Sequence, residues 1–515
     1  MTGFLTRREA AAGLLVLGVS VLSPGCGGEP PYEGPYAHVL LISLDTTRAD
    51  QIGCYGGRAA KTPRLDALAR EGVRFDQAIS AASSTLSSHT SMMTGLYARK
   101  HGVARNGFMV NKANVTLAEV LGQSGFHTAG FIGSFALDEV FDFDQGFDVW
   151  DQEFDIAFDV AKADQNQRRA TQVTDALLAH VDRAIEEPRM FLFAHYFDVH
   201  SPFDPPEPWA TEYALPGGPK AVDLIGIREQ EARHQERVGE RRQVYDVGLG
   251  RKLVKDVDGT PLPGDAELAA LYAGELAYTD SEVGRLLDGL EERGVLDDCI
   301  VIVTADHGET FWEHGDFWHH GAWVYDTNVH VPFLMHLPDG RGAGRVVEQP
   351  VSGVDLFPTL LELLELPLPE PVHGVSLVGA IDGEGAPIRP IFAEATQPTR
   401  AHEKKVGWIN QLKSRCVRRG RWKLIQAPYL RVEEFFDMKD DPGERKNLLL
   451  DDSAGAEVRQ AYAELRGELD SWSSNEDPRD SQFNPEQMDS VLKRLQDLGY
   501  VGEVEGLTAP GADGE

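Results

Sequence analysis

Cysteine is scarce. Four occur in 515 residues, Cys26, Cys54, Cys299 and Cys416, and no two have the spacing of metal ligands. Nothing therefore points to a disulfide framework or a clustered-thiolate site. Positive charge is also short: 49 lysines and arginines stand against 82 aspartates and glutamates, a formal charge of -33. So acidic a surface argues against nucleic acid as a partner and against binding to an anionic membrane. An anionic substrate would need local positive charge, from a metal or from histidines. Long apolar runs are missing as well. The run Ala10 to Leu22 is too short and too rich in small residues to span a bilayer comfortably. No internal repeat is found.

What is present begins with that first segment. Arg7-Arg8 precedes the apolar run, and Ser23-Pro24-Gly25-Cys26-Gly27-Gly28 follows it. This is the layout of a secretory signal, and the paired arginines fit a twin-arginine type. The small residues before Cys26 resemble the cleavage site of bacterial lipoproteins, in which the cysteine is acylated. The expectation is an exported protein of the periplasm or cell surface, touching the membrane only through a lipid on Cys26. Residues 1–36 are read as signal and Gly/Pro tether.

Three apolar runs then end in polar groups. His38 to Leu44 leads into Asp45. Met190 to Ala194 leads into His195, Asp198 and His200. Ile300 to Val303 leads to Asp306 and His307. Runs of this kind fit strands buried on both faces of a largely parallel sheet. In such sheets the ligand crevice lies outside the carboxyl ends of the strands. Between them lie helix signals: Thr62-Pro63 as N-cap and N1, the capping-box spacing of Thr116 and Glu119, and Val173, Leu177, Val181 and Ile185 at four-residue intervals. After about Pro390 the sequence alternates like antiparallel strands, at Ser414 to Ile425 and Glu434 to Met438. The expected fold is α/β, a mixed, mostly parallel sheet sandwiched by helices, with a smaller C-terminal antiparallel-sheet subdomain. The expected divisions are a catalytic domain over 37–388, a C-terminal α+β subdomain over 389–505 and a tail over 506–515. The charged stretch 224–262 reads as an irregular surface insertion.

Asp45, Asp306 and His307 would meet at one sheet edge, and two carboxylates with an imidazole suit one divalent metal. Calcium and magnesium prefer oxygen-only shells. The imidazole of His307 favours zinc or manganese, with calcium the alternative. The hydroxyl-rich stretch Ser84 to Thr94 reads as a loop entering a helix, and a helix N-terminus favours an anion. A plain N-cap is the competing reading.

These blocks together resemble the sulfatase family of the alkaline-phosphatase superfamily. Leu41 to Asp50 resembles the family's opening strand and metal aspartate, Thr62 to Asp66 its next helix, and Thr85 to Gly95 its signature loop. His200-Ser201-Pro202, Thr304 to Gly308, Val331-Pro332, Arg421 to Ile425 and Asp441 to Glu444 match later blocks. The resemblance implies an alkaline-phosphatase-like fold. It also implies hydrolysis of a sulfate or phosphate ester, on a small molecule or a glycan. The departures carry their own implication. Sulfatases have a Cys or Ser oxidised to formylglycine where this chain has Thr85, so no formylglycine is expected. His89 stands at the loop's arginine, Ser87 at its proline, Thr46 at the second aspartate of a calcium pair, and His307 at an asparagine. Gly133-Ser134-Phe135 replaces a Lys-Trp-His block, and His320 lies near an absent lysine. A carboxylate, a threonine and an Asp-His pair are similar to the metal-dependent phosphotransferases of the superfamily, lipoteichoic acid synthases and phosphoethanolamine transferases among them. There an unmodified threonine is the nucleophile.

The implied site has metal ligands Asp45, Asp306 and His307, Thr85 as nucleophile, and His200 on the developing charge. His89, His101 or His320 would bind the anion or protonate the leaving oxygen. For His89, His101, His195, His314 and His319 an ordinary loop position competes with any such role. Two other readings stand beside the hydrolase. One is a transferase of phospho-groups onto a cell-envelope glycan or lipid. The other is a sulfatase fold retained only for binding.

Overall fold

The structure, a computed structural model, describes residues 34–154, 167–222, 242–246, 252–256, 265–315, 320–396, 413–428, 431–474 and 479–481. The predicted signal with Cys26, most of the 224–262 stretch, His319 and the 506–515 tail lie outside the described residues. Among the described residues no helix is long and apolar enough to cross a membrane.

The run His38–Leu44 is the central strand of an eight-stranded sheet. All its residues after His38 are buried, as coverage on both faces requires. It pairs in parallel with Met190–Tyr196 on one side and with Cys299–Thr304 on the other. Outside Met190–Tyr196 come His127–Ile132 and Val149–Asp151, both parallel. Outside Cys299–Thr304 the direction reverses at Phe333–His336, followed by Val73–Phe75 and Arg345–Val347. The sheet is thus mixed and mostly parallel, and its three central strands run the same way. Their carboxyl ends deliver Asp45, His195 and Asp306 to one edge.

Helices cover this sheet with the residues that the spacing marks. Ala170–Arg183 buries Val173, Leu177 and Val181 completely. Ile185 lies beyond the helix end and is 45% exposed, so the four-residue period stops where the helix does. Asp265–Glu292 presses Leu268, Leu271, Leu276 and Val283 into the same core. Thr116 and Glu119 form the expected capping box. Thr62 does not cap its helix: its hydroxyl accepts instead from the Gly53 N–H at 2.9 Å, and Pro63 alone marks the helix start.

The C-terminal sheet has Ile391–Glu394, Arg415–Arg419, Trp422–Ala427 and Val432–Asp437 in antiparallel order. Helix Ala456–Ser474 packs Ala461, Leu465 and Leu469 against Val417, Leu424 and Phe435. The 224–262 stretch is not wholly irregular. Arg242–Asp246 and Lys252–Asp256 form a hairpin, and Lys252 and Leu253 pair with Val432 and Glu433. Backbone groups at a free sheet edge seek partners, and this hairpin supplies them to the C-terminal sheet.

Candidate active site

Asp45 and Asp306 stand just past neighbouring strand ends, both completely buried. One oxygen of each is occupied. Asp45 Oδ2 lies 3.0 Å from His195 Nε2, which donates to it. Asp306 Oδ1 accepts from the Thr46 N–H at 3.2 Å and from the His307 N–H at 2.8 Å. The other oxygens, Asp45 Oδ1 and Asp306 Oδ2, have no hydrogen-bond partner. His307 Nδ1 is 2.9 Å from the Gly308 carbonyl, to which it donates, so its Nε2 lone pair turns inward. Nε2 lies 3.3 Å from Asp306 Oδ2. Ligand atoms of Asp45, Asp306 and His307 all fall within 4.8 Å of one another.

Buried carboxylates without partners are costly, and the titration of these groups reflects that cost. Burial pushes the Asp45 carboxyl up to about 7, against the pull of His307 and Thr85. Burial and the nearby Asp45 charge raise Asp306 as well. Burial would lower His307, but the charges of Asp306 and Asp45 overcome it and raise its pKa. A divalent cation would relieve all three. Two unpartnered carboxylate oxygens and a hydrogen-bond-oriented imidazole therefore fit a metal, and the mixed O/N donor set is one that zinc or manganese accepts.

Thr85 opens the helix Thr85–Thr94, every residue of which is buried. A helix of Ser, Thr, His and Met with a single Leu survives burial because most of its hydroxyls are spent inward. Thr90 Oγ1 donates to the Leu86 carbonyl at 2.7 Å, Ser91 Oγ to Ser87 at 3.0 Å and Thr94 Oγ1 to Thr90 at 2.6 Å. The N-terminus is arranged differently. Ser84 at the N-cap makes no side-chain cap, and the Leu86 N–H is met by Asn106 Oδ1 at 2.8 Å. The plain-cap reading of this stretch is thereby set aside. Thr85 Oγ1 lies 3.5 Å from His307 Nε2, beside the Asp45, Asp306 and His307 group.

The histidines divide into two sets. His200 stacks on Phe197 with ring centroids 4.4 Å apart, and its Nδ1 donates to the Ser201 carbonyl at 2.6 Å. His320 Nδ1 is 3.1 Å from Glu309 Oε2. The His320 ring centre lies 5.2 Å from that of His200 and 4.5 Å from that of His307. His200, His320 and His307 thus gather together. Burial, with His320 next to it, lowers the pKa of His200 well below the usual imidazole value.

The other set is structural. His89 does not face a bound anion: Nδ1 donates to the Thr85 carbonyl at 2.7 Å and Nε2 accepts from Ser43 Oγ at 2.8 Å. Both nitrogens are taken, the ring is fully buried, and burial drops its pKa to about 3. It braces the helix against the central strand from below. His101 likewise accepts from the Val103 N–H at 3.1 Å and donates to Ser91 Oγ at 2.9 Å. His314 stacks on Tyr325 at 3.8 Å.

Sequence reasoning gave too little to His195, which orients Asp45. Its signal was present, because it is the residue just before the end of a buried strand. It gave nothing to Ser80 and Ser88, whose hydroxyls both donate to the Asp306 carbonyl, Ser88 at 2.6 Å. No pattern in the sequence marks these. Nor did it foresee that Thr46 would take a left-handed backbone, φ 51°, to aim its N–H at Asp306.

The sulfatase family profile matches residues 37–366, and the profile described as N-sulphoglucosamine sulphohydrolase, C-terminal, matches 312–473. The chain is 26% identical over 454 residues to an uncharacterised sulfatase, YidJ, of Escherichia coli K12, covering 82% of this chain and 84% of that one. It is 24% identical over 494 residues to the N-acetylglucosamine-6-O-sulfatase of Bacteroides thetaiotaomicron, covering 84% and 86%. Its fold is similar to the crystal structure of the phosphonate monoester hydrolase of Agrobacterium radiobacter, with a TM-score of 0.65 at 24% identity over 85% of this chain and 96% of that one.

Proposed function

The chain belongs to the sulfatase family, and on that premise we propose that it hydrolyses a sulfate or phosphate ester through an unmodified Thr85 nucleophile beside a divalent metal held by Asp45, Asp306 and His307. One observation carries the reading. The Thr85 hydroxyl stands at a buried helix N-terminus, 3.5 Å from His307 Nε2, next to two carboxylate oxygens that have no hydrogen-bond partner. A threonine cannot be oxidised to the formylglycine aldehyde, which supports its unmodified hydroxyl as the attacking group.

A cation bound there supplies the positive charge that favours the Thr85 alkoxide and offsets charge on the ester's oxygens. The chain's own groups do the rest. Thr85 attacks sulfur or phosphorus in line with the leaving oxygen, and an ester to Thr85 forms as the leaving bond breaks. The helix N-terminus meets charge on the equatorial oxygens, and His200, whose Nδ1 already donates to the Ser201 carbonyl, joins it only where the anion's charge brings a proton to its Nε2. His320, held by Glu309, gives a proton to the departing oxygen and takes one from the water that resolves the ester. His195 holds Asp45 in place, and His89 holds the helix. The buried walls keep bulk water from competing.

The N-acetylglucosamine-6-O-sulfatase relative makes a glycan ester a natural first substrate. We place the enzyme outside the cytoplasm on its N-terminal sequence alone.

The test is hydrolysis of matched aryl sulfate, phosphate monoester and phosphodiester substrates with zinc, manganese or calcium. Wild type and Thr85→Ala are compared. Thr85→Ala loses about a thousandfold or more in kcat/KM, and wild-type turnover requires added metal after chelation. Activity that survives in Thr85→Ala would remove the nucleophile assignment, and turnover in full chelator would remove the metal.

A further inference from the structure

Two sequence blocks of the C-terminal sheet have no part in the chemistry above: Arg421 to Ile425 and Asp441 to Glu444. Each places one charged side chain in the interior. Lys423 and Glu444 are both nearly inaccessible to solvent and lie 2.7 Å apart. Lys423 Nζ is also 2.6 Å from Asp326 Oδ1, and Arg418 Nη1 is 2.9 Å from Asp326 Oδ2. Glu444 Oε2 accepts from the backbone N–H of Asp326 at 2.6 Å. Two cations and one carboxyl thus converge on Asp326, a residue outside the C-terminal sheet.

Asp326 begins the one-turn helix Asp326–Val329, which is hydrogen-bonded to the segment that follows Asp306 and His307. The Asn328 carbonyl accepts from the Gly308 N–H at 2.8 Å. Thr310 Oγ1 donates to Asn328 Oδ1 at 2.8 Å and lies 2.8 Å from Thr327 Oγ1. The Val329 carbonyl accepts from the Ser80 N–H at 2.8 Å, and Ser80 in turn donates to the Asp306 carbonyl. The fit leaves no slack, since a Cβ on Gly308 would come within 2.3 Å of the Thr327 carbonyl. This turn is therefore one wall of the segment carrying Asp306 and His307, and the buried charges anchor it.

A buried ion pair is a weak source of net stability, because desolvation offsets the attraction. Apolar side chains would hold the two sheets together as well. What charges add is direction: a carboxylate forked between two cations fixes where the Asp326 turn sits.

We propose that Lys423, with Asp326 and Glu444, is a positioning residue for the metal-binding segment, through which the C-terminal sheet sets the placement of Asp306 and His307. The inference rests on the metal reading of Asp45, Asp306 and His307, but the placement can be measured without it.

The experiment uses the full chain carrying Lys423→Gln, Lys423→Arg, or Leu290→Ala. The last is a core truncation at the far end of the main sheet and supplies a comparable loss of stability. Amide hydrogen exchange of the metal-free proteins is followed over residues 304–311, and manganese affinity is measured by calorimetry. Lys423→Gln exchanges about tenfold faster over 304–311 and binds manganese about tenfold or more weakly. Lys423→Arg restores most of both. Leu290→Ala changes neither, whatever its Tm. Should Lys423→Gln fail to fold, Arg418→Met removes one cation of the two and gives the same readouts. Exchange that quickens only within the C-terminal strands, with 304–311 unchanged, overturns the proposal. A wild type that binds no manganese or zinc overturns the metal reading, while the exchange result still decides the positioning.

Discussion

His101 shows how a single side chain is fixed by its two neighbours. Its Nδ1 accepts a backbone N–H and its Nε2 donates to Ser91, so one neutral tautomer satisfies both partners. Protonation would break the first bond and bury a charge beside Lys413, and burial above all holds the pKa at about 3. The unfolded chain titrates near the ordinary value of 6.5. The folded pKa is the lower of the two, so the stability this group confers is fully present above pH 6.5 and is lost as the pH falls towards 3. By pH 5 the loss is about 2 kcal/mol. His101→Gln costs stability at pH 7.5 but takes up no proton. Urea unfolding of wild type and variant at pH 7.5 and pH 5 therefore gives a gap that narrows by about that amount. An equal gap at both pH values would mean that His101 is charged when folded.

At the scale of elements, the helix Thr85–Thr94 is the part least like a pattern. All ten of its residues are buried, yet it has no apolar stripe. The strands around it were legible because an unbroken apolar run followed by a carboxylate has few other meanings. Asp45, Asp306 and His307 come together as their place in those runs suggests. The helix was legible only as a hydroxyl-rich stretch. A side chain that satisfies an i-4 carbonyl looks in the sequence like one that awaits a ligand. That is why His89, spent on Thr85 and Ser43, reads in the sequence as an anion-binding candidate, while His195, which orients Asp45, carries no comparable mark. The helix end carries its own test. Gly95 terminates it at φ +66°, and a Cβ there would meet Val372 Cγ2 at 2.6 Å and Phe357 Cδ1 at 3.1 Å. Gly95→Ala combines a left-handed strain with a collision and costs about 1–3 kcal/mol. The urea midpoint falls while the m-value stays constant. A variant as stable as wild type would show that the helix end moves freely, and with it the support of Thr85.

The whole molecule poses an electrostatic problem that no single residue reveals. The chain carries a formal charge of -33, and its substrates are anions. On the proposed reading its site is positive only locally, through the cation that Asp45, Asp306 and His307 would hold and a helix N-terminus, whereas the acidic surface acts at a distance. At 0.01 M salt the Debye length is about 30 Å, so an approaching ester meets the field of much of the surface. At 0.15 M it is about 8 Å, and only groups near the pocket are felt. Added inert salt therefore removes more repulsion than attraction. The expected result is that kcat/KM for an anionic ester rises severalfold between these two conditions. Saturated turnover, in which the substrate is already bound, stays the same. For enzymes that steer anions with a basic surface the slope has the opposite sign. A kcat/KM that fell with salt would mean that the pocket's own field reaches past the acidic surface. Capture would then be governed by the proposed cation site at distances well beyond contact.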